Sequence, residues 1–354
     1  MTVIPGDTGG DWRAKKFVEY AHFVPPVHQA FLTEYARRNN LNEEQCILLS
    51  FIMGNVYSEI TTIFMFESWN KTCPDLKQVD EFLKEWNDTI VYGSARKWVR
   101  YGNRAWTTMN WFVKTTDRKV LPWFNNIAVG KNSREVYDNV KTAAMVCPEY
   151  GRFASDLFNE ILMIFYKNNF ISKNLKSDES INFYEGANLT SGLFNIMYMD
   201  DRANLYDKDK KLTSEEFDML METLLSLKSL YEKMYPEKKI DVPLFVTKVC
   251  SFRNCFKGRR GGGYHHYRQL KYIRHFEKIA PKHKDLWAEC YDIRKTVYPS
   301  ILRGEDHGVY DIPKELSKWW LKHGWIGSEP EALLSIKKTS LENFLNCKHH
   351  RSVK

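Results

Sequence analysis

Apolar residues recur at helical spacing along almost the whole chain. No run of alternating β-branched residues is long enough to make a sheet. The pattern predicts an all-α protein, and the capping residues mark where its helices start. Pro25-Pro26 opens a helix that runs through Ala36. Asn42 caps a helix from Glu43 to about Phe66. Pro74-Asp75 begins another, and Ser94 to Lys114 is a long amphipathic stretch. Asn132 with Glu135, and Thr213 with Glu216, have capping-box spacing. The helix from Thr213 reaches about Tyr231, with Leu220, Leu224, Leu227 and Leu230 as its apolar stripe. Pro243 opens a helix to Phe256, Tyr264 begins the next, and Pro313 and Pro330 start the last two. Turn-rich stretches at Thr115–Lys131, Ser172–Thr190 and Asp200–Leu212 separate the helices.

The organisation expected is one large, mainly helical catalytic domain over residues 1–346. A junction between two helical lobes, if there is one, falls near 115–150, and the basic tail 347–354 is disordered. The longest apolar run, Cys46 to Phe66, contains Gly54, Asn55, Ser58 and Glu59, so it reads as a buried helix and not a membrane span. Polar groups inside such a helix cost free energy unless satisfied, so this cluster either packs on another helix or lines a cavity. Met1 to Asp11 is polar and glycine-rich, without the apolar core of an export signal. With seven cysteines in no paired framework, this places the chain in a reducing cytoplasm.

Composition changes the picture at one place. Between Val242 and Phe276 lie Lys248, Arg253, Lys257, Arg259, Arg260, Arg268, Lys271 and Arg274, and no acid. The chain has 52 Lys and Arg against 44 Asp and Glu, so these eight cations account for the whole net charge of +8. Phe252, Phe256, Tyr264, Tyr267 and Tyr272 are interleaved with them, beside His265 and His266. The centre, Lys257-Gly258-Arg259-Arg260-Gly261-Gly262-Gly263, is a glycine hinge. A solvated basic loop would explain the charge alone. Cations, rings and glycines together suit a polyanion such as a nucleic acid backbone or a pyrophosphate.

Several familiar signals fail on context. Tyr198-Met199-Asp200-Asp201 lacks the flanking strands of a polymerase metal hairpin. The turn after Asp207 has Leu212 where a calcium loop needs glycine. Cys250 and Cys255 with His265, His266 and His275 fit no zinc spacing, and Gly258 to Gly263 lacks the ending of a phosphate-binding P-loop. Two further stretches are better placed. Glu149-Tyr150-Gly151-Arg152-Phe153 starts a long apolar helix, where an arginine adds to the anion preference of a helix N-terminus. Tyr184 to Gly192 is small and polar and precedes a helix, so Glu185 and Asn188 could face a ligand there.

Five segments, in this order, resemble a known family. They are Leu-Ser-Phe-Ile-Met-Gly-Asn-Val-Tyr (49–57), Tyr-Gly-Arg-Phe (150–153), Glu-Gly-Ala-Asn-Leu-Thr-Ser-Gly-Leu (185–193), Cys-Ser-Phe-Arg-Asn-Cys-Phe-Lys-Gly-Arg-Arg (250–260) and Tyr-His-His-Tyr-Arg-Gln (264–269). The chain resembles the bacteriophage amino acid:DNA transferases, also called α-glutamyl/putrescinyl thymine pyrophosphorylases, over about residues 15–305. The resemblance implies a nearly all-helical enzyme, for which an architecture of the helical DNA glycosylase kind is one possible form. It implies action on thymine hypermodification in the cytoplasm of an infected bacterial host, with no membrane involved. The pyrophosphate of 5-(pyrophosphoryloxymethyl)uracil in double-stranded DNA would be replaced by a free amino acid or polyamine. This chain departs from the family at Phe245-Val246-Thr247-Lys248, where an acid is usual, and at Ala187, where an arginine is usual.

On that reading the cations stabilise charge on the departing pyrophosphate. Lys257, Arg259 and Arg260 take this role, with Arg152 or Arg268 assisting. Glu185, His265 or His266 would serve as the base for the incoming amine. The target base must leave the stack, and Tyr264, Tyr267 or Trp111 could hold it. Arg253, Lys271 and Asn188 complete the expected DNA and substrate contacts. No cofactor is required, and although a divalent metal could bind the pyrophosphate, no ligand cluster calls for one. A non-catalytic DNA-binding protein and a base-flipping glycosylase-like enzyme are the competing readings.

Overall fold

The computed structural model describes residues 9–23, 27–175, 187–197, 213–238, 240, 242, 245–249, 252 and 264–298. Among them helix is the only regular structure, so the protein is all-α as its periodicity predicts. No described helix is long and apolar enough to cross a membrane. The chain divides into two compact units. The first comprises residues 1–26, 181–268 and 298–354, and the second residues 27–180 and 269–297. The stretch 115–150 thus falls inside the second unit. The last two expected helices, from Pro313 and Pro330, and the basic tail lie outside the described residues.

In the first unit, α1 (Gly9–Phe23), α10 (Ala187–Ile196) and α11 (Ser214–Met234) pack on one another. Thr213 and Glu216 form the expected capping box. Leu220, Leu224 and Leu227 are buried, whereas Leu230 is half-buried and Tyr231 completes the stripe in its place. Residues 245–249 are helical, and the ring of Phe17 meets Phe245 and Phe252 edge-on at 5.0 and 5.4 Å. A Cβ on Gly192 would stand 2.7 Å from a Val249 methyl, so only glycine lets α10 come this close.

The second unit is built around α3 (Glu43–Val56), in which every residue from Cys46 to Val56 is buried. A helix that is apolar all round has to be surrounded. Around α3 pack α4 (Glu59–Ser68), the 3-10 segment Ser94–Asn103, α6 (Arg104–Thr116), α7 (Val120–Ile127) and α9 (Gly151–Lys167), and α2 (Val27–Arg38) packs on α4 and α9. Outside them lie α5 (Leu76–Trp86), α8 (Ser133–Met145) and α13 (Lys284–Val297). Helix α12 (Tyr264–Ile279) contributes to this unit from Gln269 onward.

Three sequence expectations are corrected in this unit. The helix from Asn42 is two helices, because Tyr57 turns the chain with left-handed backbone (φ 51°) and Ser58 caps α4 through Thr61. The stretch from Ser94 is also two, broken at Asn103 (φ 57°). Finally, Thr115–Lys131 contains α7, whose Pro122 sits in the first turn, where a missing amide costs nothing.

Candidate functional site

Among the polar residues of the 54–62 stretch, Ser58 caps a helix, Thr61 donates to Val91 O at 2.6 Å, and Glu59 joins a buried charged network, while the Oδ1 of Asn55 is buried without a hydrogen-bond partner. Glu59 is the first residue of α4, where the helix dipole favours a carboxylate. Its Oε1 lies 2.6 Å from His28 Nδ1 and accepts from Gln269 Nε2 at 3.2 Å. Gln269 Oε1 accepts in turn from Arg294 Nη1 at 3.4 Å. All four residues are buried: His28 is 9% exposed, Glu59 4%, Gln269 1% and Arg294 1%. A carboxylate accepts, so His28 Nδ1 is the donor in this contact.

An aromatic rim leads from this network to the surface. The His28 ring lies 4.8 Å from the ring of Tyr57. Tyr57 meets Phe153 edge-on at 4.9 Å, and Phe153, in the first turn of α9, is 47% exposed. Arg152 beside it is exposed. Its charge helps hold down the carboxyl of Asp156, which burial pushes up and Lys141 pairs with at 2.5 Å. The left-handed backbone of Tyr57 is held from outside, since Gly93 donates its amide to Val56 O at 2.9 Å. A Cβ at Gly93 would come within 2.0 Å of Tyr57 O. A bulky residue kept in this conformation is the kind of strain that collects at functional sites.

Tyr150 joins the rim to the core. Its hydroxyl donates to Phe51 O at 3.0 Å, and its ring stacks on Phe51 at 4.6 Å. Burial pushes its phenol far above the ordinary range. Arg96, 3% exposed, donates from Nε to Asn55 O at 2.9 Å and from Nη1 to Tyr150 O at 3.3 Å. Burial lowers its affinity for its proton. Gly54 permits the whole contact, because a Cβ there would stand 1.9 Å from the Tyr150 hydroxyl.

Two of the five motif segments, 49–57 and 150–153, therefore meet in the second unit. Segment 49–57 touches 150–153 through Phe51 with Tyr150 and through Tyr57 with Phe153. Gln269, the last residue of 264–269, bonds to Glu59, two residues beyond the end of 49–57. Arg152 lies beside this assembly as an exposed residue, Arg268 is half-buried and Lys271 exposed. Trp111, the ring considered for stacking, is half-buried on α6. Glu185, Arg253, Lys257, Arg259 and Arg260 lie outside the described residues. Asn188 is in α10, and Tyr264, His265, His266 and Tyr267 form the first turn of α12, with their side chains outside the description.

Sequence reasoning passed over His28, Arg96 and Arg294, and met Glu59 only as one of the polar residues in the apolar run. Glu59 had a signal, as an acid inside an apolar run. His28 and Arg294 had none, since each sits in an ordinary amphipathic helix far along the chain. In the first unit Lys248, counted in sequence among the cations that suit a polyanion, is instead buried at 6% exposure and donates from Nζ to Ala21 O, in the last turn of α1, at 2.6 Å. Burial pulls its ammonium down to about 7. A cation at a helix C-terminus is favourable, which makes Lys248 a cap on α1. Compared with protein-family models, curated proteins and solved structures, the chain matches none of them.

Proposed function

We propose that this protein is a DNA-modifying transferase that replaces the pyrophosphate of 5-(pyrophosphoryloxymethyl)uracil with an amine or amino acid. The observation that supports the reading is the contact of segments 49–57 and 150–153, through Phe51 with Tyr150 and Tyr57 with Phe153, beside the buried pair His28 and Glu59. Two segments about 100 residues apart, both part of the resemblance to one family, pack against each other. A protein that only gripped the DNA backbone would have no use for a buried ionisable pair, whose desolvation is costly.

In this reading the target thymine leaves the duplex and stacks on exposed aromatic surface. The cations Lys257, Arg259 and Arg260, with Arg152 or Arg268, stabilise charge as it builds on the leaving pyrophosphate. The partners are double-stranded DNA carrying the modified thymine and a free amino acid or polyamine, and the setting is a phage-infected bacterium. The test is mass spectrometry of nucleosides from DNA bearing the pyrophosphorylated base, after incubation with the protein and a mixture of amino acids and polyamines. A new thymidine adduct supports the transferase and names its nucleophile. Unchanged nucleosides with salt-dependent DNA binding favour a binding module and overturn the proposal.

A further inference from the structure

We infer that the outer side of α6, with Tyr101 just ahead of it, is a docking face for single-stranded DNA. The face lies within the second unit and needs no chemistry, so it goes beyond the transferase reading. From Thr89 to Thr116 the chain carries the cations Arg96, Lys97, Arg100, Arg104 and Lys114, and no acid. Two of these cations serve the fold, bonded to backbone oxygens. Arg96 holds Asn55 O and Tyr150 O, and Arg100 donates from Nη2 to Ile90 O at 2.7 Å. Arg104 and Lys114 are exposed.

Helix α6 sorts its residues by side. Ala105, Thr108, Met109, Phe112, Val113 and Thr116 are buried. Arg104, Thr107, Trp111 and Lys114, spaced three or four apart, share the opposite side, which puts a half-buried tryptophan between two cations along one stripe. The stripe is about 15 Å long. Three positions before Arg104, Tyr101 is 69% exposed, the highest value of any large apolar side chain among the described residues. A ring left in water forgoes the free energy of burying it.

Several acids around this face are already paired. Glu149 lies 3.8 Å from Arg104, an exposed pair of the kind that is worth little and that a phosphate can replace. Asp117 pairs with Lys119 at 3.3 Å. On α5, which packs on α6, Glu81 pairs with Lys77 at 3.6 Å and Asp80 with Lys84 at 2.6 Å. Arg118, just past the helix, adds an exposed cation. Cations alone would suit any polyanion. Rings interleaved with them suit one that carries flat bases, and a duplex hides the faces of its bases in the stack. The occupant is therefore an unpaired strand, with bases on Tyr101 and Trp111 and phosphates against Arg104 and Lys114.

The test is an anisotropy titration of the full chain with labelled oligothymidylate and with a duplex of equal length. Tyr101→Ser is expected to weaken binding of the single strand about 5-fold or more and to leave the duplex unchanged. Lys114→Gln is expected to flatten the slope of log affinity against log salt by about 0.7 on the single strand. Both side chains are exposed, so circular dichroism of the variants should match wild type. A strand carrying 5-iodouracil, irradiated with wild type and digested, locates the contact, with crosslinks expected in the peptides that hold Tyr101 and Trp111. The docking face is overturned if wild type does not bind oligothymidylate, if Tyr101→Ser binds it as wild type does or weakens both DNAs equally, or if the crosslinks are confined to residues 242–276. None of these results touches the transferase reading, which stands or falls on the nucleoside analysis.

Discussion

Gly54→Ala places one methyl group where the second unit is tightest. The new Cβ would stand 1.9 Å from Tyr150 Oη, 2.6 Å from Cζ and 2.9 Å from Ala154 O. The last atom is backbone of α9 and cannot turn aside, so either α3 and α9 separate or Tyr150 is expelled. Overpacking of this kind costs about 1–3 kcal/mol. Losing the bond from Tyr150 to Phe51 O adds about 1 kcal/mol. Losing the stacked ring pair adds about 0.5–1.5 kcal/mol. Alanine returns about 1 kcal/mol through its better helix propensity. The net expected loss is about 2–4 kcal/mol, a fall in Tm of roughly 5–15 °C for a unit of this size. Thermal melts followed by circular dichroism read it. Tyr150→Phe removes the atom nearest the new methyl, so the double variant should lose less than the two single losses added together. A Tm within 2 °C of wild type for Gly54→Ala, on the order of the melt's own scatter, would refute the packing argument. Strict additivity in the double variant would refute the claim that Tyr150 is the obstacle.

Three further outcomes are expected. The ammonium of Lys248, pulled down to about 7, gives a penalty that is complete below that pH, while the unfolded chain keeps its proton to about 10.5. The first unit should therefore gain stability as pH rises from 7 to 9, and Lys248→Met should flatten that rise, by at most about 5 kcal/mol over the full shift; melts at pH 6 and 9 measure it. Phe153→Ala should leave stability within about 1 kcal/mol, because the ring is 47% exposed, yet weaken binding of DNA with a mismatched target by about 1–3 kcal/mol in an anisotropy titration. Replacing Lys257, Arg259 and Arg260 together by alanine should flatten the dependence of log affinity on log salt by about 0.9 for each phosphate left without its cation, and an unchanged slope would remove them from the DNA interface.

What the sequence made legible were the helix starts, because a cap is a local device. Asn42, Asp75, Asn132 and Thr213 each accept the backbone N–H their spacing predicts. The break at Tyr57 was hidden, because its cause is remote: Gly93, far along the chain, gives the turning backbone room. The split at Asn103 was hidden too, since the amphipathic pattern continues across it. The site divides in the same way. Glu59 was visible as a buried polar group in need of partners, but nothing in the order of residues points to His28, 31 positions earlier, or to Gln269, 210 positions later. Hydrogen bonds across such separations are set by how α2, α4 and α12 pack. The basic stretch was the opposite case. Its charge is plain from composition alone, and its centre lies outside the described residues.

The most direct measurement counts two products in one reaction. DNA carrying the pyrophosphorylated base is incubated with the protein and the amine that the nucleoside analysis identifies, and pyrophosphate release and thymidine adduct are quantified together. Transfer predicts one pyrophosphate for each adduct, with neither formed when the amine is left out. Pyrophosphate released without adduct would make the protein a hydrolase, and neither product, with DNA still bound, would contradict the account.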